Sequence, residues 1–430
     1  MKKYDAYKPS GVDWIGNIPE RWKTMKTSWI FKIGSGTTPK SGDTRYYTED
    51  GGYNWLQTGD LNDCVIIETS KHITEQAIQD YNLKFYSEGS LVIALYGATI
   101  GKVGILGIKT TVNQACCVLN RSRSMAEKYA FYVFQAGKPA LLREAYGGGQ
   151  PNISQDIIST QKYPFPPLAE QKAIADYLDA KCAKIDNVVA VQRKRIELLK
   201  ELKQSIITHA VTKGLDKTAK MKDSGIEWIG EIPDGWEIKK IKHNFEIYAG
   251  ATPKTEKESF WDGDIVWITP ADYKTDDKIV LQGERNITIE GYNSCNTQLV
   301  PQGSLIFSKR APIGTVALSG VELCTNQGCL SCVPKKVNSL YYYYAISICT
   351  EFFDMLGAGA TFKEISADAF ANVKLPTPPL YEQTAIADYL DKKCAIIDKQ
   401  IAKVEKQIEL LNEYKLSVIT ECVTGKRKVC

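Results

Sequence analysis

Two segments of the chain share a hydrophobic pattern that repeats every three to four residues. In residues 168–211 and 380–423 the apolar positions alternate at steps of four and three over about four heptads. No proline interrupts either segment, and a proline pair stands just before each, where a helix start tolerates it. The pattern predicts two long helices, each with a narrow apolar seam. The predicted seam residues are Leu178, Ile185, Val189, Ile196, Leu199, Leu390, Ile397, Ile401, Ile408 and Leu411.

A seam this narrow, on a helix about 64 Å long, needs a partner helix. Matching heptads within one chain favour pairing of the two helices with each other. The alternative is that each apolar stripe lies on its own globular domain. Pairing is the interpretation that we carry forward.

The remainder of the chain is an internal duplication. Residues 10–19 return at 224–233, and residues 89–93 return at 303–307. Short β-type runs stand between glycine-rich turns, and one helical run follows them in the first copy. The predicted strands are residues 91–95, 115–119, 304–308 and 328–333, and the predicted helix is 126–136. We therefore predict an α+β fold in each copy.

The matched segments are rich in Gly, Pro, Trp and apolar residues, which is typical of a scaffold. The segments between them correspond poorly: residues 41–53 differ from 255–264, and residues 64–84 differ from 275–298. Two similar scaffolds with different loops would bind two similar but non-identical ligands. Drift after duplication is the alternative explanation.

Composition narrows the class of protein. The chain has 430 residues, 43% hydrophobic and 24% charged, as in an ordinary globular protein with room for two or three domains. It shows no signal peptide and no apolar run of membrane-spanning length, so we expect a cytoplasmic protein that does not contact a membrane. The twelve cysteines are scattered, as expected for reduced, packed thiols. A net charge of +4 permits an anionic partner.

Motifs for bond chemistry are missing. Residues 97–102 resemble a phosphate-binding loop, but the loop is one residue short and Val103 replaces the metal-binding Ser or Thr. Cys324, Cys329 and Cys332 have a loosely zinc-like spacing without a fourth ligand nearby. We therefore expect no catalytic residue, no metal and no cofactor in this chain. An enzyme such as a fused methyltransferase, and a structural coiled-coil adaptor that binds protein, remain the two alternatives.

Cationic, aromatic and amide side chains recur at matched loops of the two copies. Such groups hold phosphates and read base edges in nucleic-acid complexes. Each one alone would be an ordinary surface residue, but the recurrence favours a binding role. The candidate DNA-binding residues are Lys40, Tyr96, Lys102, Gln150, Asn152, Lys254, Lys309, Arg310 and Lys363.

Several of these motifs together resemble the DNA-specificity subunit of Type I restriction–modification systems. They are the Ser-Gly-Val-Asp-Trp-Ile-Gly-Asn-Ile-Pro segment at 10–19, its copy at 224–233, the Gly-x-Thr-Pro segments, the paired Ile-Ser, and the Pro-Pro-Leu…Glu-Gln helix starts. The likeness covers nearly the whole chain.

The resemblance implies two homologous target-recognition domains, at 1–165 and 213–377, each reading half of a split double-stranded DNA sequence. Conserved helices at 166–212 and 378–425 would form an antiparallel coiled coil that sets the spacing. Two modification subunits, carrying S-adenosylmethionine and the adenine methyltransferase site, would dock on this chain. Up to two restriction subunits would add ATP- and Mg-dependent cleavage.

The helix starts are where we expect the partner subunits to dock. The alternative is that their acids only complement the helix dipole. The candidate partner-binding residues are Glu170, Gln171, Asp176, Glu382, Gln383 and Asp388.

Overall fold

The structure is a computed structural model that describes residues 3–147, 151–274, 277–357 and 363–429. It divides into two compact units. The first is Met1–Arg193 with Lys406–Cys430, and the second is Lys194–Glu405. Each unit therefore combines one copy of the repeat with parts of both long helices. The predicted division into heads and helices at 165, 212 and 377 stays a prediction.

The first unit is an α+β assembly built from short strands. Its strands are Tyr7–Pro9, Asn17–Pro19, Lys23–Lys26, Ile33–Ser35, Tyr47–Thr48, Tyr53–Leu56, Val65–Ile66, His72–Ile73, Leu91–Ala94, Val103–Leu106, Thr111–Val112, Cys116–Leu119 and Lys162–Phe165. Its helices, apart from the long ones, are Thr27–Ile30, Glu75–Tyr81, Glu127–Arg143 and Gln155–Thr160, with a 3₁₀ turn at Thr58–Asp60. The two strands and one helix predicted for this unit, near residues 91, 115 and 126, are confirmed within a residue or two at their starts. The helix is about two turns longer at its C-terminal end than predicted.

The second unit has the same construction. Its strands are Met221–Asp223, Glu231–Pro233, Glu237–Lys240, Phe245–Ala249, Trp261–Ile268, Ile279–Val280, Asn286–Ile287, Leu305–Ser308, Val316–Ser319, Cys324–Thr325, Cys329–Pro334 and Lys374–Thr377. Its shorter helices are Ile241–Asn244, Ile289–Asn293, Ser339–Ser347, Thr350–Leu356 and Ala367–Asn372, with a 3₁₀ turn at Glu258–Phe260.

A five-stranded sheet forms the centre of each unit, and its strand order and strand directions are the same in both. In the first unit the order is Ile33–Ser35, Cys116–Leu119, Leu91–Ala94, Val103–Leu106, Val65–Ile66, and only the last pair is parallel. In the second unit it is Phe245–Ala249, Cys329–Pro334, Leu305–Ser308, Val316–Ser319, Ile279–Val280, again with only the last pair parallel.

The central strands are buried on both faces, which explains their continuous apolar runs. In the strand Leu91–Ala94, Leu91 and Ile93 belong to one core, and Val92 and Ala94 belong to another on the opposite face. The burial of Cys116, Cys117 and their neighbours raises the pKa of both thiols, that of Cys117 to about 12, so these cysteines are neutral packing groups.

A second, smaller sheet differs between the units. In the first it has four strands, ordered Thr111–Val112, Tyr53–Leu56, His72–Ile73, Tyr47–Thr48. In the second it has three, ordered Asn286–Ile287, Trp261–Ile268, Cys324–Thr325, with an irregularity in register between Trp261 and Ile265. The poorly matched segments at 41–53 and 255–264 belong to these sheets, so the sequence difference between the copies is also a structural one.

The two long helices extend over Leu168–Lys213 and Leu380–Val423. Each begins immediately after its proline pair, and the first free amides bond back to a proline carbonyl, for example Gln171 N to Pro167 O at 3.0 Å. The first helix is closed by Gly214, which adopts a left-handed φ of +76° and donates its N–H to Ala210 O.

Within each unit the two long helices run antiparallel, as predicted. In the first unit Asp186 pairs with Lys415 at 2.7 Å, and the earlier Tyr177 accepts a hydrogen bond from the later Arg427 at 3.2 Å. In the second unit Lys203 pairs with Asp398 at 2.7 Å, and residues after Lys203 share a core with residues before Asp398. Numbers rise along one helix as they fall along the other, which defines the antiparallel direction.

The ten predicted seam residues are all buried or half-buried in the structure. Leu178, Ile185, Val189, Leu390, Ile397 and Ile401 are buried, and Ile196, Leu199, Ile408 and Leu411 are half-buried, whereas most positions between them are exposed. Toward the helix starts the seam residues also join the globular cores: Leu178 lies in the core of the first unit and Leu390 in that of the second. Pairing and packing on a domain, which we treated as alternatives, therefore occur together. In the part of the chain that the structure describes, no helix is both long and apolar enough to cross a membrane.

Candidate nucleic-acid interface

The sheet order brings four loops of the first unit to one end of the five-stranded sheet. These are residues 36–40, 95–102, 113–114 and 152–153, and we call them, with their counterparts in the second unit, the loop edge. Leu95 holds the edge together because its N–H donates to Ala115 O at 2.8 Å and its carbonyl accepts from Ile153 N at 2.8 Å. The Thr38 hydroxyl contacts the Gln114 side chain.

Of the candidates in the first unit, Tyr96 and Asn152 are brought into direct contact. They pair as an isolated antiparallel bridge, and Asn152 exchanges two backbone hydrogen bonds with Tyr146, at 2.8 and 3.0 Å. Lys102 lies at the same sheet end, where its Nζ donates to Asn62 Oδ1 at 3.3 Å. Lys40 is exposed at the far end of its loop, and Gln150 lies outside the described residues.

The second unit repeats this backbone with different side chains. Lys309 N–H donates to Gly328 O at 2.9 Å, and Lys309 O accepts from Ile365 N at 3.0 Å, as at Leu95. Arg310 forms the bridge with Glu364 that Tyr96 forms with Asn152. The loop edge of the second unit comprises residues 250–254, 309–314, 326–327 and 363–365.

Charge is the main difference between the two edges. Lys309 Nζ lies 2.6 Å from Glu364 Oε1, and Arg310 Nε lies 2.8 Å from Glu364 Oε2. Partial burial acts to raise the pKa of Glu364, but the hydrogen bonds from Lys309 and Arg310 outweigh it, so the pKa lies below its usual value. Lys363 pairs separately with Asp354 at 2.6 Å, and Lys254 is exposed.

A comparison with protein families decides the affiliation. The model of the Type I restriction modification DNA specificity domain matches twice, at residues 19–201 and 233–410, and so covers most of the chain. The chain belongs to the Type I restriction–modification DNA-specificity family. Specificity subunits are the DNA-recognition component of these systems and not the catalytic one.

Individual relatives agree with this assignment. The Type I restriction enzyme MjaIX specificity subunit of Methanocaldococcus jannaschii is 36% identical over 44% of either chain. The putative MjaX specificity subunit of the same organism is 27% identical over 96% of either chain. A chain from a solved structure of a type I restriction–modification system superimposes with a TM-score of 0.72 at 15% identity, covering 94% of this chain and 98% of that one, which shows the same fold.

The helix starts of this specificity subunit hold groups that the sequence assigned to partner binding. Trp22 Nε1 donates to Glu170 Oε2 at 2.9 Å, and Trp236 Nε1 donates to Glu382 Oε2 at 2.8 Å. Both carboxylates therefore have an internal role, fixing a fully buried tryptophan of their own unit to a helix start.

Gln171 and Gln383 are buried as well, at 0% and 2% exposure. The Gln171 amide accepts from Ala126 N at 2.8 Å and donates to Pro166 O at 2.9 Å, and Gln383 makes the same two kinds of bond to Asn338 N and Pro378 O. These buried side chains join the start of each long helix to the start of a shorter helix of the same unit, Glu127–Arg143 or Ser339–Ser347. We therefore do not include them in a docking surface. Asp176 and Asp388 are exposed and stay candidates.

Several charged side chains of the loop edge and of the poorly matched segments escaped the sequence analysis. Glu364 is the first; the signal was its position directly before the Ile-Ser pair, where the first copy has Asn152. The Arg285 guanidinium lies over the Trp261 ring, with its central carbon 4.2 Å from the ring centroid. Arg45 pairs with Asp43 at 2.7 Å, and its side-chain hydrogen bond lowers the pKa of the Asp43 carboxyl to about 2. Both arginines lie in the poorly matched segments, which pointed to the region without identifying the residue.

Proposed function

We propose that each unit binds duplex DNA through its loop edge and neighbouring variable loops, and reads one half of a bipartite target. The observation that carries this proposal is the repetition of one strand-end backbone with different side chains. Tyr96 and Asn152 occupy the places that Arg310 and Glu364 occupy in the second unit. A shared scaffold with unlike surface groups suits two recognition modules for two different base sequences.

The chemistry of the loop edges fits a DNA ligand. Lys40, Lys102, Lys254 and Lys363 supply ammonium groups for phosphates, while Tyr96, Asn152 and Arg310 carry donors and acceptors suited to base edges. Gln150 completes the proposed set from outside the described residues. The net charge of +4 is modest for a DNA-binding protein, which agrees with a complex in which partner subunits also contact the DNA.

We further propose that the long helices set the spacing between the half-sites and that two modification subunits dock near the helix starts. The modification subunits would hold S-adenosylmethionine, and restriction subunits would use ATP and Mg. Exposed apolar groups near the starts support docking there: Leu168 is 40% exposed, Leu380 is 51% exposed and Tyr381 is 73% exposed. Asp176 and Asp388 lie two turns further along these helices.

Exchange of one recognition module tests the reading of half-sites. Residues 24–160 would be replaced by the corresponding segment of another specificity subunit, and the full chain purified with its modification subunit. Bound duplexes selected from a random library should change in one half of the target and keep the other, because the second loop edge is untouched. The reciprocal exchange of residues 238–372 is the matched control. A change in both halves from a single exchange would contradict the proposal.

Charge reversal tests the docking surface. Asp176→Lys with Asp388→Lys should weaken assembly with the modification subunit by about tenfold, because complementary charges at an interface become repulsive. Glu201→Lys with Glu413→Lys, at one exposed position on each long helix, is the charge-matched control. Sedimentation or mass photometry of the mixed subunits gives the stoichiometry and affinity. Assembly of the double variant at the unchanged affinity would remove these acids from the docking surface.

A further inference from the structure

Three charged side chains meet at the loop edge of the second unit. Glu364 accepts from Lys309 through one carboxylate oxygen at 2.6 Å and from Arg310 through the other at 2.8 Å. The Lys309 side chain is only 14% exposed, whereas that of Arg310 is 47% exposed. Lys309 therefore contacts the Glu364 carboxylate from the buried side, and Arg310 contacts it from the side that faces solvent.

The backbone around this cluster is held by hydrogen bonds. Arg310 follows the buried central strand Leu305–Ser308 by two residues, and its carbonyl accepts from Ser308 Oγ at 2.8 Å. Its partner Glu364 precedes Ile365, which is fully buried and donates its N–H to Lys309 O at 3.0 Å. The backbones of both Arg310 and Glu364 are thus attached to the sheet, and the bond from Nε to Glu364 orients the guanidinium between them.

The geometry of the ion pair leaves one side of the guanidinium available. Glu364 engages Nε. Within the described part of the chain, the two terminal nitrogens of Arg310 have no hydrogen-bond or ion-pair partner. A guanidinium presents two parallel N–H groups either through its terminal nitrogens or through Nε and one terminal nitrogen. Because Nε is occupied, only the end-on pair remains for a ligand.

We infer that Arg310 reads a guanine in the half-site bound by the second unit, with Glu364 as its positioning residue. Two parallel N–H donors match the O6 and N7 acceptors that guanine presents in the major groove. The inference rests on the proposed DNA-reading function and adds a residue and a base to it.

A phosphate contact fits the cluster less well. A phosphate that approached Arg310 would also approach the Glu364 carboxylate, and the two anions would repel each other. A phosphate contact would also serve both units equally, since every half-site has the same backbone. The first unit instead has Leu95, Tyr96 and Asn152 at the matched places. A cation at one of two equivalent positions fits a contact that differs between the half-sites, as a base contact does.

The test measures binding of the full chain, complexed with its modification subunit, to a duplex panel. The panel starts from the selected target and replaces each base pair of both half-sites in turn. Arg310→Ala should remove discrimination at one G·C pair of one half-site, a loss of about 5- to 150-fold there. Arg310→Lys keeps the charge and should lose the same discrimination because it lacks the planar fork. It also serves as the conservative variant should the alanine variant fold poorly.

Two further variants separate positioning from charge. Glu364→Gln keeps an acceptor for Nε but not the ionic bond, and should reduce discrimination at the same base pair by a smaller factor. Lys194→Ala removes a more exposed cation from a helix ion pair with Glu197 of the same unit, and should leave the base profile unchanged.

Three results would overturn the inference. A uniform loss of affinity across the panel for Arg310→Ala, with a salt dependence lowered by about one ion, would assign Arg310 to a phosphate. An unchanged profile in both Arg310 variants, with sequence-specific binding by the unaltered complex, would refute the guanine contact alone. Absence of sequence-specific binding by the unaltered complex would refute the proposed function as well.

Discussion

The loop edges of the two units share their backbone and differ in their side chains. In both, the residue after the central strand makes two backbone hydrogen bonds. Leu95 bonds to Ala115 and Ile153 in the first unit, and Lys309 bonds to Gly328 and Ile365 in the second. The next residue is Tyr96 in one unit and Arg310 in the other, facing Asn152 and Glu364. The backbone bonds hold the edge in place without using these side chains. The side chains are therefore free to vary, and one architecture can carry a neutral surface or an ionic one.

The same comparison, made at the helix starts, gives the opposite result. There the side chains themselves make the structural contacts, and they are the same residue types in both units. A tryptophan indole donates to a glutamate, and a buried glutamine joins the start of the long helix to the start of a shorter, earlier helix. Tyr129 and Tyr341 likewise donate to Val423 O and Val211 O, both at 3.2 Å. At the helix starts, where side chains make the structural contacts, the two copies have the same residues. At the loop edges, where backbone atoms make these contacts, the two copies have different residues.

The largest expected effect is at the shared tryptophans. Trp22→Ala and Trp236→Ala each remove a side chain that is 1% exposed together with its bond to a glutamate, and each should destabilise its own unit by about 3–5 kcal/mol. Hydrogen exchange measured by mass spectrometry on peptides of each unit localises the loss. Equal losses would support a common scaffold; a much smaller loss in one unit would show that the two helix starts are not equivalent.

An intermediate effect is expected at the ionic loop edge, and it depends on pH. Because the pKa of Glu364 is lower in the folded chain than its usual 4.5, its stabilisation is complete above about pH 5 and is lost as the pH falls through the folded value. Glu364→Gln should therefore cost about 1 kcal/mol at pH 7, after allowance for partial exposure, and less near pH 3.

Chemical unfolding of the two chains over this pH range checks the expectation. Asn152→Ala is the matched variant of the first unit and should show no such pH dependence, since an amide does not titrate. A constant difference between Glu364→Gln and the unaltered chain at every pH would contradict the ionic role.

The smallest effect is expected at the inter-helix ion pairs, which match between the units. Asp186–Lys415 and Asp398–Lys203 both measure 2.7 Å, and in each the carboxylate is about half exposed. Double-mutant cycles to alanine should give a coupling of about 0.5 kcal/mol for each pair, reduced by salt. A coupling several times larger in one unit would mean that the helix pairing differs between the units.

Much of the fold was predictable because it depends on patterns that are local in sequence. Heptad spacing predicts the buried faces of the long helices, since 3.6 residues per turn places those positions on one side. Proline pairs mark the helix starts because proline lacks the N–H that a helix interior requires. Continuous apolar runs between glycine turns predict the buried central strands. The internal repeat then indicates two units of one construction.

The candidate site was predictable only in part, because it is assembled from loops distant in sequence. Which side chains meet at the loop edge depends on strand order, and the pairing of residues 309–310 with 364 crosses more than one helix. Sequence position suggested that Glu170, Gln171, Glu382 and Gln383 face a partner. All four side chains bond within their own unit, to an indole or a backbone amide, and only the two glutamines are buried.

The sequence by itself determined the class of fold, the two copies, the two helices with their seams, and the segments in which the copies differ. Each follows from periodicity or from residue types with strong local preferences. Only the tertiary structure decided which charges neutralise one another and which polar groups are buried. Those properties depend on distances between residues far apart in the chain, and an ion pair such as Arg310–Glu364 exists only where the sheet brings both ends together.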